Sequence, residues 1–483
     1  MEKIEINGNV WIKFKGDEGQ DVYVARSMVK DHVKRKDDES MLGQFADPTS
    51  YDFVIESDAD FYLPDEVTDR DGDYDIIEKH LLTEERVAFK FRKNVFTQEE
   101  QIGAFEGLYG AAQESHNRGM AAGPRNFSDH SRDWVTPFQK EVIHYYETRN
   151  VYDIFSEDKV ESLRKKYENS IQENRGGVWL RAKLIEEFGS LETFFETFIE
   201  RISEMSLDDA KKYAKEFKEE FISDTTYANS IWSGIAGFYG RYPRIPYGRP
   251  TSYTDHNRET FEKCYPFARK LDEEFKRLMP GRWERQNEYV KKVDSKFIIG
   301  EDTTFTTITV NTTTPTRNAR MAFHRDAGSL NDGFSNLTVV TKEGKDWQGG
   351  YLVAPEVRVA INVRPGDLLL IDNMRVIHGN TPIEPPKTGE KDFLRMSLVF
   401  YFREDMKELK SWEYERTRRE YVDDRRLNPS HPLWRKHWNG VSPNMWKEQE
   451  WYDYLSSKLG EEVLQKYHPD AVESEGKKFF LAD

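Results

Sequence analysis

The chain has 483 residues, 37% hydrophobic and 13% aromatic, which suffices for two or three packed structural units. Its single cysteine, Cys264, excludes an intrachain disulfide and a cysteine-cluster zinc site, no apolar run reaches the roughly 18–20 residues of a membrane span, and Met1 to Asn9 lacks a signal-peptide core. A soluble, cytoplasmic protein with no membrane partner is expected, and a net charge of −16 excludes uniform phosphate-driven binding of nucleic acid, leaving only local cationic patches for that purpose.

Residues 1–150 read as a mixed α/β support region. VWIKFKG from Val10 to Gly16 alternates like a strand, and VAFKFRKNVF from Val87 to Phe96 reads as a strand leading into a helix. Asp58 to Asp75 is acidic. Within it DRDGDYD opens like a calcium loop, but Tyr74 takes the glycine position and His80 the glutamate position, so calcium is not expected. SHNRGMAAGPR from Ser115 to Arg125 sets small residues around Asn117 and Arg118, where the backbone can approach another group closely. Residues 151–230 read as a helical insertion or bundle. VESLRKKYENSIQ, WLRAKLIEEF and TFFETFIERISEM repeat apolar residues every three or four positions and carry no evident chemistry.

Residues 231–406 change character. Arg241, Arg244, Arg249 and Arg258 interleave with Tyr239, Tyr242, Tyr247 and Tyr253. That pattern suits a groove that tracks a strand and stacks bases, or equally a Pro/Gly-rich loop held by cation–π packing. Short β-rich runs follow: TFTTITVN from Thr304, LTVVT from Leu337, VRVAINV from Val357, DLLLI from Asp367 and MSLVFYF from Met396. They are split by Gly349-Gly350, Pro365-Gly366 and Pro382, the rhythm of a cupin-type double-sheet jelly roll. His324 and Asp326 stand at i and i+2, on one side of an extended segment, and His378 lies at the edge of a later strand. Two imidazoles and one carboxylate match the facial triad of a non-haem Fe(II) oxygenase, which leaves metal positions open for a chelating 2-oxoacid and dioxygen. Arg395, on the next strand, can fork onto the far carboxylate of such an acid.

With those residues in view, Phe305 to Met406 resembles the TET and J-binding-protein (TET/JBP) family of Fe(II)/2-oxoglutarate dioxygenases, which oxidise the 5-methyl group of pyrimidine bases in nucleic acid. The resemblance rests on FTTITVN, FHRD at Phe323 to Asp326, GFSNLTVV at Gly333 to Val340, GGYLVAPEVRVAINVRPGDLLLIDNMRVIHGNTPI at Gly349 to Ile383, and RMSLVFYFRED at Arg395 to Asp405. GRPTSYTDHNRETFEKCYPFARKLDEEFKRLMPGRWERQ, from Gly248 to Gln286, is similar to the helical lead-in of the thymine-hydroxylating branch. The resemblance implies that His324, Asp326 and His378 hold Fe(II), that Arg395 and Ser397 bind 2-oxoglutarate, and that O2 is consumed with ascorbate as a stimulant. It implies DNA as partner, its methylpyrimidine flipped or single-stranded, in a pocket drawn from Asn331, Asn336, Tyr401 and Arg403. The local alternative for the two asparagines is turn chemistry in a glycine-flanked loop. A similar Asn-Arg-Gly segment in the family's bacterial-virus members implies that Arg118 touches substrate phosphate; a tight turn is the local alternative.

One departure bears on the base. Where the animal 5-methylcytosine oxidases carry a histidine two places after SLVFY, this chain has Arg403. A guanidinium donates to a carbonyl oxygen such as thymine O4 but cannot accept from a cytosine amino group, while FHRD and RMSLVFY lean to the cytosine branch. The base stays open between the two.

Residues 407–483 form a Trp-rich helical extension, where Trp412, Trp434, Trp438, Trp446 and Trp451 read as interhelical packing and His431 and His437 have no metal spacing. Arg416, Arg418, Arg419, Arg425 and Arg426 alternate with acids, as on a solvated helix face. The expected fold is α+β, a double-stranded β-helix core with extensive α-helical embellishment, in a bacterial-virus-type family member placed in host cytoplasm. Its expected activity is hydroxylation of 5-methylcytosine or thymine in DNA. Two other readings stand beside it: a dioxygenase of the same core acting on a protein side chain or small molecule, and a non-catalytic binding or structural protein, the latter disfavoured by four intact site positions. Oligomeric state is open.

Overall fold

The computed structural model describes residues 1–29, 41–64, 82–115, 118–123, 231–241, 245, 247–343 and 345–427, with isolated positions at 189–209 and 430–479. The expected helical insertion, apart from a few isolated positions, together with the DRDGDYD segment, Arg244, His431 and His437, lies outside these residues. Met1–Gly123 and Ser230–Asp483 form one compact unit, and Pro124–Asn229 forms another. All the elements below belong to the first.

In chain order the strands are β1 (Glu2–Ile6), β2 (Asn9–Lys15), β3 (Asp21–Ala25), β4 (Phe53–Ile55), β5 (Ala59–Tyr62), β6 (Val87–Arg92), β7 (Gln113–Ser115), β8 (Ile231–Tyr239) and β9 (Arg249–Pro250). They continue as β10 (Thr307–Thr313), β11 (Ser335–Val340), β12 (Gln348–Gly349), β13 (Leu352–Ala354), β14 (Val359–Ile361), β15 (Leu368–Ile371), β16 (Gly379–Asn380), β17 (Ile383–Glu384) and β18 (Arg395–Tyr401). The longer helices are α1 (Gln98–Leu108), α2 (Tyr265–Leu278), α3 (Pro280–Val290) and α4 (Trp412–Leu427).

The large sheet runs β1-β2-β3-β5-β6-β15-β11-β18-β10-β8-β7, and the small one β16-β13-β14-β4. Strands from the N-terminal region therefore extend the same sheet that carries the expected barrel strands. Alternate residues of β11, β15 and β18, namely Leu337, Val339, Leu369, Ile371, Val399 and Tyr401, share a core with Leu352, Ala354, Val359 and Ile361 of the small sheet. The intervening Val340, Leu368, Leu370, Met396, Leu398 and Phe400 pack with Leu108, Phe267, Leu271 and Phe275 of α1 and α2. A strand covered on both faces loses its polar alternation, which is why LTVV and LLLI read as unbroken apolar runs. This is the expected jelly roll with a helical layer.

The helices have local causes. Thr97 accepts from Glu100 N at 3.3 Å while the Glu100 carboxylate accepts from Thr97 N at 2.8 Å, a reciprocal cap that starts α1. Phe267 in α2 lies 6.1 Å from Phe400 across the interface, and losing such a ring costs about 3–5 kcal/mol. Trp412 at the start of α4 packs on Phe297 at 4.8 Å. On α4 itself Arg416 pairs with Glu420 and Arg419 with Asp423 on an exposed face, whereas Arg418 is buried against Tyr414, so that basic stretch is not wholly solvated. Among the described residues no helix is long and apolar enough to cross a membrane.

Candidate metal centre and carboxylate clamp

His324 and His378 come together because their backbones exchange two hydrogen bonds of 3.0 Å, an isolated antiparallel bridge at the mouth of the roll. Asp326 is held by Asn373, whose backbone carbonyl accepts from Asp326 N at 2.9 Å and whose side chain donates to Asp326 Oδ2 at 2.8 Å. One ligand atom from each of the three side chains lies within 4.8 Å of the others. His324 Nδ1 lies 2.8 Å from Ala322 O and His378 Nδ1 3.0 Å from Val376 O, so each Nδ1–H is occupied and Nε2 is the ligating nitrogen of each ring, that of His324 standing 3.4 Å from Asp326 Oδ1.

The electrostatics suit a cation. Burial and the neighbouring His324 push His378 down to about 4, so it is neutral at neutral pH. Burial raises the Asp326 carboxyl, but the hydrogen bond and charge of His324 outweigh it and hold the group well below the usual carboxylate range. Burial likewise lowers His324, and its bond to Asp326 outweighs that and holds it above its ordinary value. An anionic oxygen and two imidazole nitrogens facing one point form a donor set for a divalent transition metal.

Arg395, Ser397 and Tyr401 lie on one face of β18, the face turned to the barrel interior. The Arg395 guanidinium is 2% exposed, its Nε is buried without a partner, and no carboxylate among the described residues pairs with it. Burial and the charge of Arg364 bring its pKa down to about 10, so it remains charged at neutral pH. Gly350, at φ +70°, leaves room beside it: a Cβ there would stand 3.1 Å from Arg395 Nε. Ser397 pairs in register with Asn311, whose amide donates to Ser397 Oγ at 3.5 Å, and Ser233 Oγ donates to Asn311 Oδ1 at 2.6 Å. This polar row across β8, β10 and β18 leaves the Ser397 hydroxyl proton free for an acceptor on the strand face it shares with Arg395. An orphaned buried cation with a hydroxyl beside it fits the far carboxylate of a dicarboxylic 2-oxoacid.

The other expected residues divide. Tyr401 is buried, raised by that burial, bonded to Thr309, and within the electrostatic reach of Asp326, Arg403 and Arg118. Arg118 also acts on His324, and Ala121 O accepts from Ala322 N at 2.9 Å, so residues 118–123 return to the metal end. Arg403 lies over Tyr239 at 5.0 Å with its Nε on Asp405 at 3.0 Å, oriented beside Tyr401. Asn336 is not brought to this side. It pairs with Leu370 and Phe400, both under the helices, and donates to Phe334 O at 3.1 Å; one step along the strand from Leu337 reverses its face. Asn331 is exposed in a turn, its N–H on Glu404 and its carbonyl on Arg282. Arg241 is not free for phosphate, because its guanidinium is bound to the buried Glu415 carboxylate, with Nε at 3.2 Å. Arg249 stacks on Tyr239 and Tyr247 at 5.0 and 6.0 Å, the loop-packing alternative. Asn373, in the turn after β15, and Asn311 and Ser233, on paired strands, escaped sequence reading, since only tertiary pairing brings them to Asp326 and Ser397.

Two histidines and an aspartate converging inside a jelly roll that also holds a buried, unpaired arginine form a donor set suited to a mononuclear non-haem metal. Residues 239–404 match the Tet_JBP family model, the oxygenase domain of the 2OGFeDO superfamily. The superfamily implies Fe(II), 2-oxoglutarate and O2, and the donor set here fits them. The chain is 30% identical over 200 residues to thymine dioxygenase JBP1 of Leishmania braziliensis, covering 41% of this chain and 23% of that protein. It is 30% identical over 175 residues to the bifunctional helicase and thymine dioxygenase JBP2 of Trypanosoma brucei brucei, covering 35% of this chain and 15% of that one. The chain thus spans about a quarter or less of the length of these curated relatives. Among solved structures, NgTET1 in complex with 5mC DNA is similar at 16% identity and a TM-score of 0.29, covering 42% of this chain and 72% of that one, too slight a likeness to bear on substrate.

Proposed function

We propose that this chain is an Fe(II)/2-oxoglutarate-dependent dioxygenase that hydroxylates the 5-methyl group of thymine in DNA. The observation that carries the reading is the buried, unpaired Arg395 in the same jelly roll as the triad, because a cation left without an internal counter-charge needs an anionic ligand. The family's thymine-oxidising relatives support thymine over 5-methylcytosine, and so does Arg403, a donor that suits thymine O4.

When bound, Fe(II) with O2 and 2-oxoglutarate supplies the oxidation: one oxygen atom enters the methyl C–H bond, and the other leaves in succinate as CO2 is released. The residues of the chain do the rest. His324 and His378 bind through Nε2 and Asp326 through a carboxylate oxygen. Arg395 and Ser397 fix the far carboxylate, which orients the keto-acid end. Tyr401 and Arg403 line the base side, with Asn331 at its margin. A methyl group inside a duplex cannot reach a buried metal, so the base must be flipped out, at a cost of roughly a few kcal/mol, or be presented on a single strand. Arg118 is the cation proposed to meet the sugar-phosphate chain. With a net charge of −16 the binding must be local and must weaken steeply with salt. Ascorbate is expected to stimulate turnover and zinc not to sustain it, and the lone buried thiol of Cys264 suits a reducing cytoplasm.

The test is mass spectrometry of nucleosides digested from thymine-only DNA and from DNA fully methylated at cytosine, each incubated with protein, Fe(II), 2-oxoglutarate and ascorbate. A one-oxygen gain on thymidine is expected. A gain on 5-methylcytosine alone moves the substrate within the family, and no gain on either, with succinate formed from other substrates, points to a protein or small-molecule substrate.

A further inference from the structure

Glu356 lies in the turn between β13 and β14, is not a metal ligand, and is 5% exposed. A buried carboxylate is costly unless its oxygens are paired, so its partners are informative. One oxygen accepts from Arg325 Nη2 at 2.6 Å, and the other accepts from the backbone N–H of Ile377 at 2.8 Å. Arg325 is the residue between His324 and Asp326, and Ile377 is the residue before His378. Arg325 also donates through Nε to Arg375 O at 3.0 Å, a second tie to the His378 segment.

Glu356 is itself well anchored. Its carbonyl accepts from Val29 N at 2.7 Å, and Arg358 N closes the turn on Pro355 O at 3.2 Å. Arg358 takes a left-handed φ of 60° there, and its guanidinium is held by Asp52 at 2.9 Å. The three ligands come from two chain segments, joined directly by the His324–His378 bridge and by Asn373 on Asp326. Glu356 adds a third connection, delivered from the small sheet, and it reaches both segments through one planar group.

We propose that Glu356 is a positioning residue for the triad: it sets the spacing of His324 and Asp326 against His378 and so determines metal affinity without touching the metal. The inference rests on reading the triad as a metal site. A simple structural pin would alter folding stability and leave the affinity of the folded protein unchanged, which separates the two roles.

The experiment is an anaerobic Co(II) titration of full-length wild type, Glu356→Gln, Glu356→Ala and Arg325→Met, read by the d–d absorption of the bound ion, with metal-free melting curves in parallel. Gln keeps an acceptor for Ile377 and loses the charge facing Arg325; Ala loses both. The Co(II) Kd is expected to rise about tenfold in Glu356→Gln and Arg325→Met and toward about 100-fold in Glu356→Ala, the usual span for groups that orient metal ligands, with an altered d–d spectrum. A wild-type Kd and spectrum in any variant that melts cooperatively overturns the inference. Should Glu356→Ala fail to fold, Glu356→Gln and Arg325→Met decide it. A folded wild type that binds no Co(II) overturns the metal-site reading itself, a result distinct from four proteins that bind alike.

Discussion

Two arginines of this unit, Arg241 half-buried and Arg395 fully buried, stand in opposite circumstances. Arg241, in the loop after β8, is matched by the Glu415 carboxylate of α4, itself 1% exposed and also accepting from Gly248 N at 2.8 Å. Arg395, inside the barrel, has no such match and is flanked by a second cation, Arg364, which stacks on Trp347 at 5.2 Å. A buried charge satisfied by the chain is architecture. One left unsatisfied, in the same roll as three converging metal donors, is the place proposed for an anionic ligand, whose binding would offset the stability lost there.

Substitutions break or sharpen that contrast, from the largest effect downward. Asp326→Ala is expected to abolish metal-dependent succinate formation, since a ligand is lost; measurable turnover would undo the metal end of the comparison. Arg241→Met is expected to destabilise the unit by about 2 kcal/mol in urea melts, because the buried Glu415 loses its forked partner and keeps only the charge of Arg418 and the backbone N–H groups of Gly248 and Lys410. Arg395→Met should do the reverse in the same melts, leaving apo stability unchanged or raised, while weakening 2-oxoglutarate by about 2 kcal/mol or more, read as KM with Fe(II) saturating. Asn311→Ala, which removes the acceptor of Ser233 and the support of Ser397, should raise the 2-oxoglutarate KM by about 1 kcal/mol, with metal affinity as in wild type.

The same contrast explains what could be read in advance. His324 and Asp326 are two apart on an extended segment, so local spacing singled them out, whereas Ser397 and Tyr401, which share the parity of Arg395 on one strand, came from the family resemblance. Asn336 failed for the complementary reason. With both faces of β11 buried, Leu337 and Val339 do not stand out from Asn336, Thr338 and Val340, and the period of two gives no phase. Arg241 looked like a groove cation because its partner lies 174 residues away. Asn311, Ser233, Asn373 and Glu356 were hidden likewise, since each acts through a cross-strand or cross-turn pairing that no run of neighbours announces. The jelly-roll strands were legible as apolar runs between Gly and Pro; that β1, β2, β3, β5 and β6 extend the same sheet was not, because pairing between β6 and β15 is set by a contact across most of the chain.

The most direct test of the central claim, that Arg395 seats the far carboxylate of 2-oxoglutarate beside the metal, is anaerobic calorimetry on Fe(II)-loaded protein with two titrants. One is 2-oxoglutarate; the other is 2-oxopentanoate, the same chain with a methyl group in place of the far carboxylate. Wild type is predicted to bind the first more tightly by about 2 kcal/mol or more, with the preference gone in Arg395→Met. Equal affinity for both acids in wild type would contradict the account.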